Sequence, residues 1–208
     1  MARSEEPQLY LVTPPAFDPG PFAEDLARVL DAEPVACLRL SLATRDEDTI
    51  LRAADTVREV AHARDVATVI ETHVVLAERL GLDGVHLTDG ARSVRAARKA
   101  LGTDAIIGAF CGTSRHDGMN AGEIGADYAS FGPVTTGVLG DGRVADRGLF
   151  AWWSEMIELP VVAEGGLTEE AIRDLAPVTD FFAIGEEIWT DDDPAAALAR
   201  LAAAMRAD

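Results

Sequence analysis

Short apolar runs rich in β-branched residues alternate along the whole chain with longer stretches whose apolar side chains recur every three or four positions. The stretch 71–90, ETHVVLAERLGLDGVHLTDG, shows the unit in full. A β-branched run at 66–70 leads into it, 74–80 has helical spacing, Gly81 is a natural helix stop, and 85–87 is apolar again. Two strands joined by a crossover helix run parallel, so Glu71, Thr72 and His73 should leave the sheet at the same rim as Thr88 and Asp89. Extended over the chain, the pattern predicts strands at 8–13, 35–40, 66–70, 84–87, 105–109, 127–131, 160–163 and 179–184. Helices are predicted at 21–31, 47–63, 74–80, 93–101, 114–124, 149–157, 169–175 and 194–205. Thr44 with Glu47 and Ser114 with Asp117 have capping-box spacing, and Asp193-Pro194 places a cap before an N1 proline.

Eight βα units in 208 residues predict a single-domain (β/α)8 barrel of the TIM type at the compact end of its size range. An open doubly wound sheet is the alternative, but its GxGxxG turn is missing after the first strand. A barrel directs attention to the carboxyl ends of its strands. Gly165 and Gly166 after the seventh strand and Gly185 after the eighth occupy the loops where such barrels commonly bind phosphate. Arg39 near the end of the second strand calls for a partner, and Glu71 on the next strand is the nearest candidate. His86 alternates with Val85 and Leu87 and so should point into the barrel as a hydrogen-bonded core histidine. Asp89, ahead of a helix, is a candidate cap as well as a candidate ligand. Trp152 and Trp153 read as core with a contact for a homo-oligomer.

Charge narrows the partners. Thirty-six acidic residues against 18 basic ones give a formal −18, which argues against nucleic acid and anionic membrane. No apolar run nears the roughly 20 residues of a membrane span, and residues 1–10 have no secretory pattern, so a cytoplasmic protein is expected. Lys99 is the only lysine and lies in an amphipathic helix, which leaves Schiff-base chemistry without a nucleophile. Cys37 and Cys111 read as buried thiols inside apolar strands.

Five segments share a further pattern: Tyr10-Leu-Val-Thr13, Leu80-Gly-x-Asp-Gly-Val-His-Leu87, Ile107-Gly108, Gly125-Ala-Asp-Tyr-x-x-Phe-Gly-Pro-Val134 and Pro160-Val-Val-Ala-x-Gly-Gly-Leu167. In these the chain resembles the thiamine-phosphate synthases and their thiazole tautomerase relatives, in family order over almost its whole length. The resemblance implies coupling of hydroxymethylpyrimidine diphosphate to a thiazole phosphate, with Mg²⁺ assisting departure of pyrophosphate. It points to Arg39, Glu71, His73 and Thr113 as catalytic positions, to Thr135 and Thr136 beside the glycines as phosphate ligands, and to Asp89 and Glu71 as metal carboxylates.

The rim departs from the family pattern at several of these positions. The lysines that follow the second and sixth strands in the family are replaced by Ser41 and Val138, Glu71-Thr72-His73 stands for Asn-Asp-Asp, and Glu186 and Glu187 replace small residues. The tautomerase histidine is missing, and so is the usual second metal carboxylate unless Asp89 replaces it from a shifted position. Unit charges about 4 Å apart interact by roughly 4 kcal/mol at an effective dielectric near 20. These losses therefore predict weakened diphosphate binding and set the coupling activity in question, unless Arg143 and Arg147 fold over the ligand in compensation. Two other readings fit the residues. One is a non-catalytic binder or regulator taking a phosphorylated or thiazole- or pyrimidine-like ligand. The other is a metal-assisted lyase or aldolase-like enzyme using Glu71, Asp89 and Glu164 with His73 or His86.

Overall fold

The computed structural model describes residues 6–136 and 142–206, and Val138 lies outside them. Strands and helices alternate: β1 (Gln8–Val12), α1 (Pro19–Ala32), β2 (Val35–Leu40), α2 (Glu47–His62), β3 (Ala67–Glu71), α3 (Val74–Leu80), β4 (Gly84–Leu87) and α4 (Val94–Leu101). The second half continues with β5 (Ile106–Phe110), α5 (Arg115–Glu123), β6 (Tyr128–Phe131), α6 (Arg147–Met156), β7 (Val161–Glu164), α7 (Glu169–Leu175), a 3₁₀ turn (Ala176–Val178), β8 (Phe181–Ile184), α8 (Glu186–Trp189) and α9 (Pro194–Met205). Each strand pairs parallel with the next, and β8 pairs with β1 to close the eight-stranded barrel. The expected (β/α)8 barrel is therefore the fold.

Alternation sorts the strand residues onto two surfaces. Leu9, Leu11, Leu38, Leu40, Val85 and Leu87 pack outward against the helices in one apolar cluster. Tyr10, Cys37, Val69, Tyr128, Val162 and Ala183 form a separate cluster inside the barrel. On β4, Val85 and Leu87 face the helices, so His86 points inward as alternation requires, and it is almost completely buried.

Side-chain caps set most helix starts. Asp18, Asp46, Ser114, Asp146, Thr168 and Asp193 each accept a hydrogen bond from a backbone N–H of the first turn. The capping box expected at Thr44 does not form, and the helix cap lies two residues on. Asp46 is the cap of α2 and bonds the Thr49 amide, while the Thr44 hydroxyl accepts from the Asp46 amide and shapes the approach. Gly81 ends α3 in the left-handed conformation, with φ 63°. Trp153 is buried edge-on to Phe131, whereas Trp152 lies half-buried under the Arg115 guanidinium, 4.7 Å from its ring centre. Lys99 stands exposed on the last turn of α4, at the end of the barrel opposite the carboxyl ends of the strands. Among the described residues, no helix is long and apolar enough to cross a membrane.

Candidate active site

At the carboxyl ends of β4, β5 and β6 a cavity of about 870 Å³ opens to solvent. Asp89, Phe110, Cys111, Thr113, Asp117 and Arg143 are among the residues of its wall. Asp89 does not cap α4, which starts five residues later behind Ser93. Its Oδ2 accepts the Ser93 hydroxyl at 2.6 Å, and its Oδ1 is buried without a hydrogen-bond partner. An unpaired buried carboxylate oxygen is costly, so this atom is a candidate ligand position.

Inside the barrel mouth, Arg39 is only 7% exposed and donates to Glu164 Oε2 on β7 at 3.0 Å. The expected pairing with Glu71 is thus corrected. Register explains it: β2 and β3 align Leu40 with Ile70, so the next position sets Ser41 beside Glu71, and the Ser41 hydroxyl takes that carboxylate at 2.7 Å. Arg39, facing inward, reaches across the closed barrel instead. Burial, the largest single influence, opposes its charge, but the Glu164 carboxylate together with Tyr10, Tyr128 and Glu71 outweighs it and holds the guanidinium above its ordinary pKa. The Arg39 Nε has no partner. Removing one member of such a pair typically costs about 3–5 kcal/mol, because the other charge is left buried alone.

The two glycine loops lie side by side. Gly165 and Gly166 both have positive φ, 80° and 73°, which side chains rarely adopt. Thr135 braces this turn by donating its hydroxyl to the Gly166 carbonyl at 2.8 Å. From the first turn of α8, Glu187 folds back so that its two carboxylate oxygens accept from the Leu167 and Gly185 amides at 3.1 and 2.8 Å. Glu186 is exposed, as are His73 and Thr136. His73 precedes α3 but makes no side-chain cap. Arg143 stands on the cavity wall, whereas Arg147 starts α6 and is engaged by Asp174 of α7, with Nε 3.2 Å from its carboxylate.

Below the mouth a chain of hydrogen bonds runs through the barrel. The Tyr10 and Tyr128 hydroxyls are 2.7 Å apart, and Tyr128 also meets His86 Nδ1 at 2.9 Å. Burial, reinforced by Arg39, holds the histidine well below its ordinary pKa and therefore neutral. Both thiols are buried and free, each pushed up to about 12, chiefly by burial. Cys111 lies one residue past β5 on the cavity wall, not within a strand as expected.

For a metal, the site offers Asp89 with its unpartnered oxygen. Among the described residues, no group of three His, Cys, Asp or Glu side chains is placed to hold an ion. Glu71 is bonded to Ser41 and Glu164 to Arg39, so the carboxylates of the lyase reading are not gathered. One carboxylate suits Mg²⁺ nonetheless, since that ion commonly takes one or two protein oxygens and completes its shell with water and substrate phosphate. Asp117 and Asn120 also line the cavity, and the sequence reading missed that role. Their signal was the i, i+3 spacing on α5, masked because Asp117 was absorbed into a capping motif.

A parallel barrel with a polar mouth at its carboxyl rim and two adjoining glycine loops defines a class of small-molecule barrel proteins, not yet one family. The profile described as thiamine monophosphate synthase matches residues 9–188. A thiamine-phosphate synthase of Rhodospirillum centenum is 45% identical, covering 96% of this chain and 98% of its own length. One of Erythrobacter litoralis is 38% identical over 94% and 95%. The chain belongs to the thiamine monophosphate synthase family. In fold it is similar to the thiamine phosphate pyrophosphorylase of Pyrococcus furiosus, with a TM-score of 0.83 and 22% identity over 96% of this chain and 95% of that one.

Proposed function

We propose that the protein couples hydroxymethylpyrimidine diphosphate to a thiazole phosphate, forming thiamine phosphate and pyrophosphate. Beside family membership, the observation that carries this reading is the cavity of about 870 Å³ whose lining includes Arg143 and Asp89 with its unpartnered oxygen. Its volume is within the range of small-molecule sites, roughly 300–1,000 Å³. The reaction breaks the bond between the pyrimidine methylene and the diphosphate oxygen, which departs with the electron pair. The thiazole nitrogen then donates its lone pair to the methylene carbon.

In this reading Arg39, Arg143 and Thr113 receive the diphosphate, and Thr135, Thr136 and the loops of Gly165, Gly166 and Gly185 receive the thiazole phosphate. Glu71, fixed by Ser41, is an acceptor for the amino group of the pyrimidine, with His73 at the outer edge. Asp89 would hold Mg²⁺, which supplies positive charge that neutralises the leaving diphosphate. The acidic rim has a second side to it. Glu71 and Glu164 oppose a bound diphosphate, yet they favour positive charge as it develops on the pyrimidine methylene.

The test is direct: purified protein, Mg²⁺ and both substrates, with thiamine phosphate followed over time. The expected outcome is turnover that stops with EDTA and returns with added Mg²⁺. A folded protein that forms no thiamine phosphate under these conditions overturns the proposal.

A further inference from the structure

The Glu187 carboxylate bridges two loops that do not otherwise share a ligand. Oε1 takes the Leu167 amide of the β7–α7 loop and Oε2 takes the Gly185 amide of the β8–α8 loop, at 3.1 and 2.8 Å. Its place is fixed from behind. Trp189, two residues on, donates its indole N–H to the Val12 carbonyl, and the Ile188 amide bonds the Gly185 carbonyl. The facing side is fixed as well, by the Thr135 hydroxyl on the Gly166 carbonyl. Two amides that converge on one pair of anionic oxygens form a receptor for an anion, and here the anion belongs to the chain itself.

We propose that Glu187 is a specificity-determining residue, an internal carboxylate that competes with the phosphate of the thiazole substrate for the Leu167 and Gly185 amides. This rests on the assignment of these loops to the thiazole phosphate made above. A phosphate monoester and the carboxylate cannot both accept from these two amides, and like charges in one cradle repel. Each phosphorylated thiazole that binds displaces Glu187, whereas the unphosphorylated alcohol leaves it in place. The residue therefore narrows the preference for the phosphorylated form over the alcohol.

Two measurements on wild type, Glu187→Gln and Glu187→Ala test this. The glutamine variant removes the charge and one of the two acceptor oxygens while keeping the other for the loop amides, which guards against an unfolded alanine variant. With inorganic phosphate as the probe in calorimetry, both variants should bind at least about tenfold more tightly than wild type. In the coupling assay, KM for the thiazole phosphate should fall by a similar factor, with the change in KM rather than kcat and little effect on KM for the alcohol. Equal phosphate binding in wild type and variants, or none in any of them, overturns the role of Glu187. A wild type that binds phosphate more tightly does the same. If wild type forms no thiamine phosphate, the coupling reading fails, and the calorimetry still decides the inference about Glu187.

Discussion

His86 links burial to pH more directly than any other side chain in the barrel. In the folded chain its pKa lies well below the ordinary 6.5, first through burial and then through Arg39. In the unfolded chain it takes a proton near the ordinary value. A depressed histidine pKa gives stability that is present above about pH 6.5 and is lost as pH falls through it, because only the unfolded state gains the proton there. The loss approaches about 1.4 kcal/mol per pH unit for one group. Asparagine places an amide oxygen close to the Nδ1 position that meets Tyr128 and does not titrate. Urea denaturation of His86→Asn at pH 7.5 and 5.5 should therefore show a smaller acid-side loss than wild type, by about 1 kcal/mol. The same difference between the two proteins at both pH values would contradict this. Alternation on β4 already announced that His86 faces inward. The partner of Arg39 was not legible, because Glu164 is 125 residues away and barrel closure alone brings it within reach.

At the level of elements, the apolar pattern placed short and long segments alike. Strands β2 and β4 and helices α3, α7 and α9 have the bounds expected from the pattern. Polar strand ends were harder to place, since Glu71 and Glu164 continue β3 and β7 although neither is apolar. Helix α8 was missed, because four residues make barely one turn and carry no period. The Glu187 bridge was missed with it. Helix α5 shows how tightly elements fit once formed. A methyl group on Gly118 would lie 2.6 Å from the Trp153 ring and 2.7 Å from Phe131. Overpacking a rigid contact of this kind costs about 1–3 kcal/mol. Gly118→Ala should therefore lower the urea midpoint, although alanine is the better helix former by about 1 kcal/mol. A midpoint that stays level or rises would show that α5 and α6 move apart without strain.

Across the whole molecule the excess of carboxylates dominates the electrostatics, with a formal −18 spread over a chain of 208 residues. Most of the ion pairs that temper it are exposed and individually weak, among them Arg28 with Asp25 and Arg173 with Glu169. Self-repulsion of the compact state is relieved when salt shortens the screening length to about 8 Å at 0.15 M. Adding sodium chloride from about 10 mM to 0.15 M should therefore raise Tm, by about 2–4 °C if screening recovers roughly 1 kcal/mol. A fall in Tm over that range would mean that attractive pairs outweigh the net repulsion. Having a single lysine has a practical side. An amine-directed reagent finds one side chain, Lys99, on the last turn of α4 at the end of the barrel away from the cavity. A fluorophore or surface tether coupled to that side chain leaves the cavity mouth facing outward.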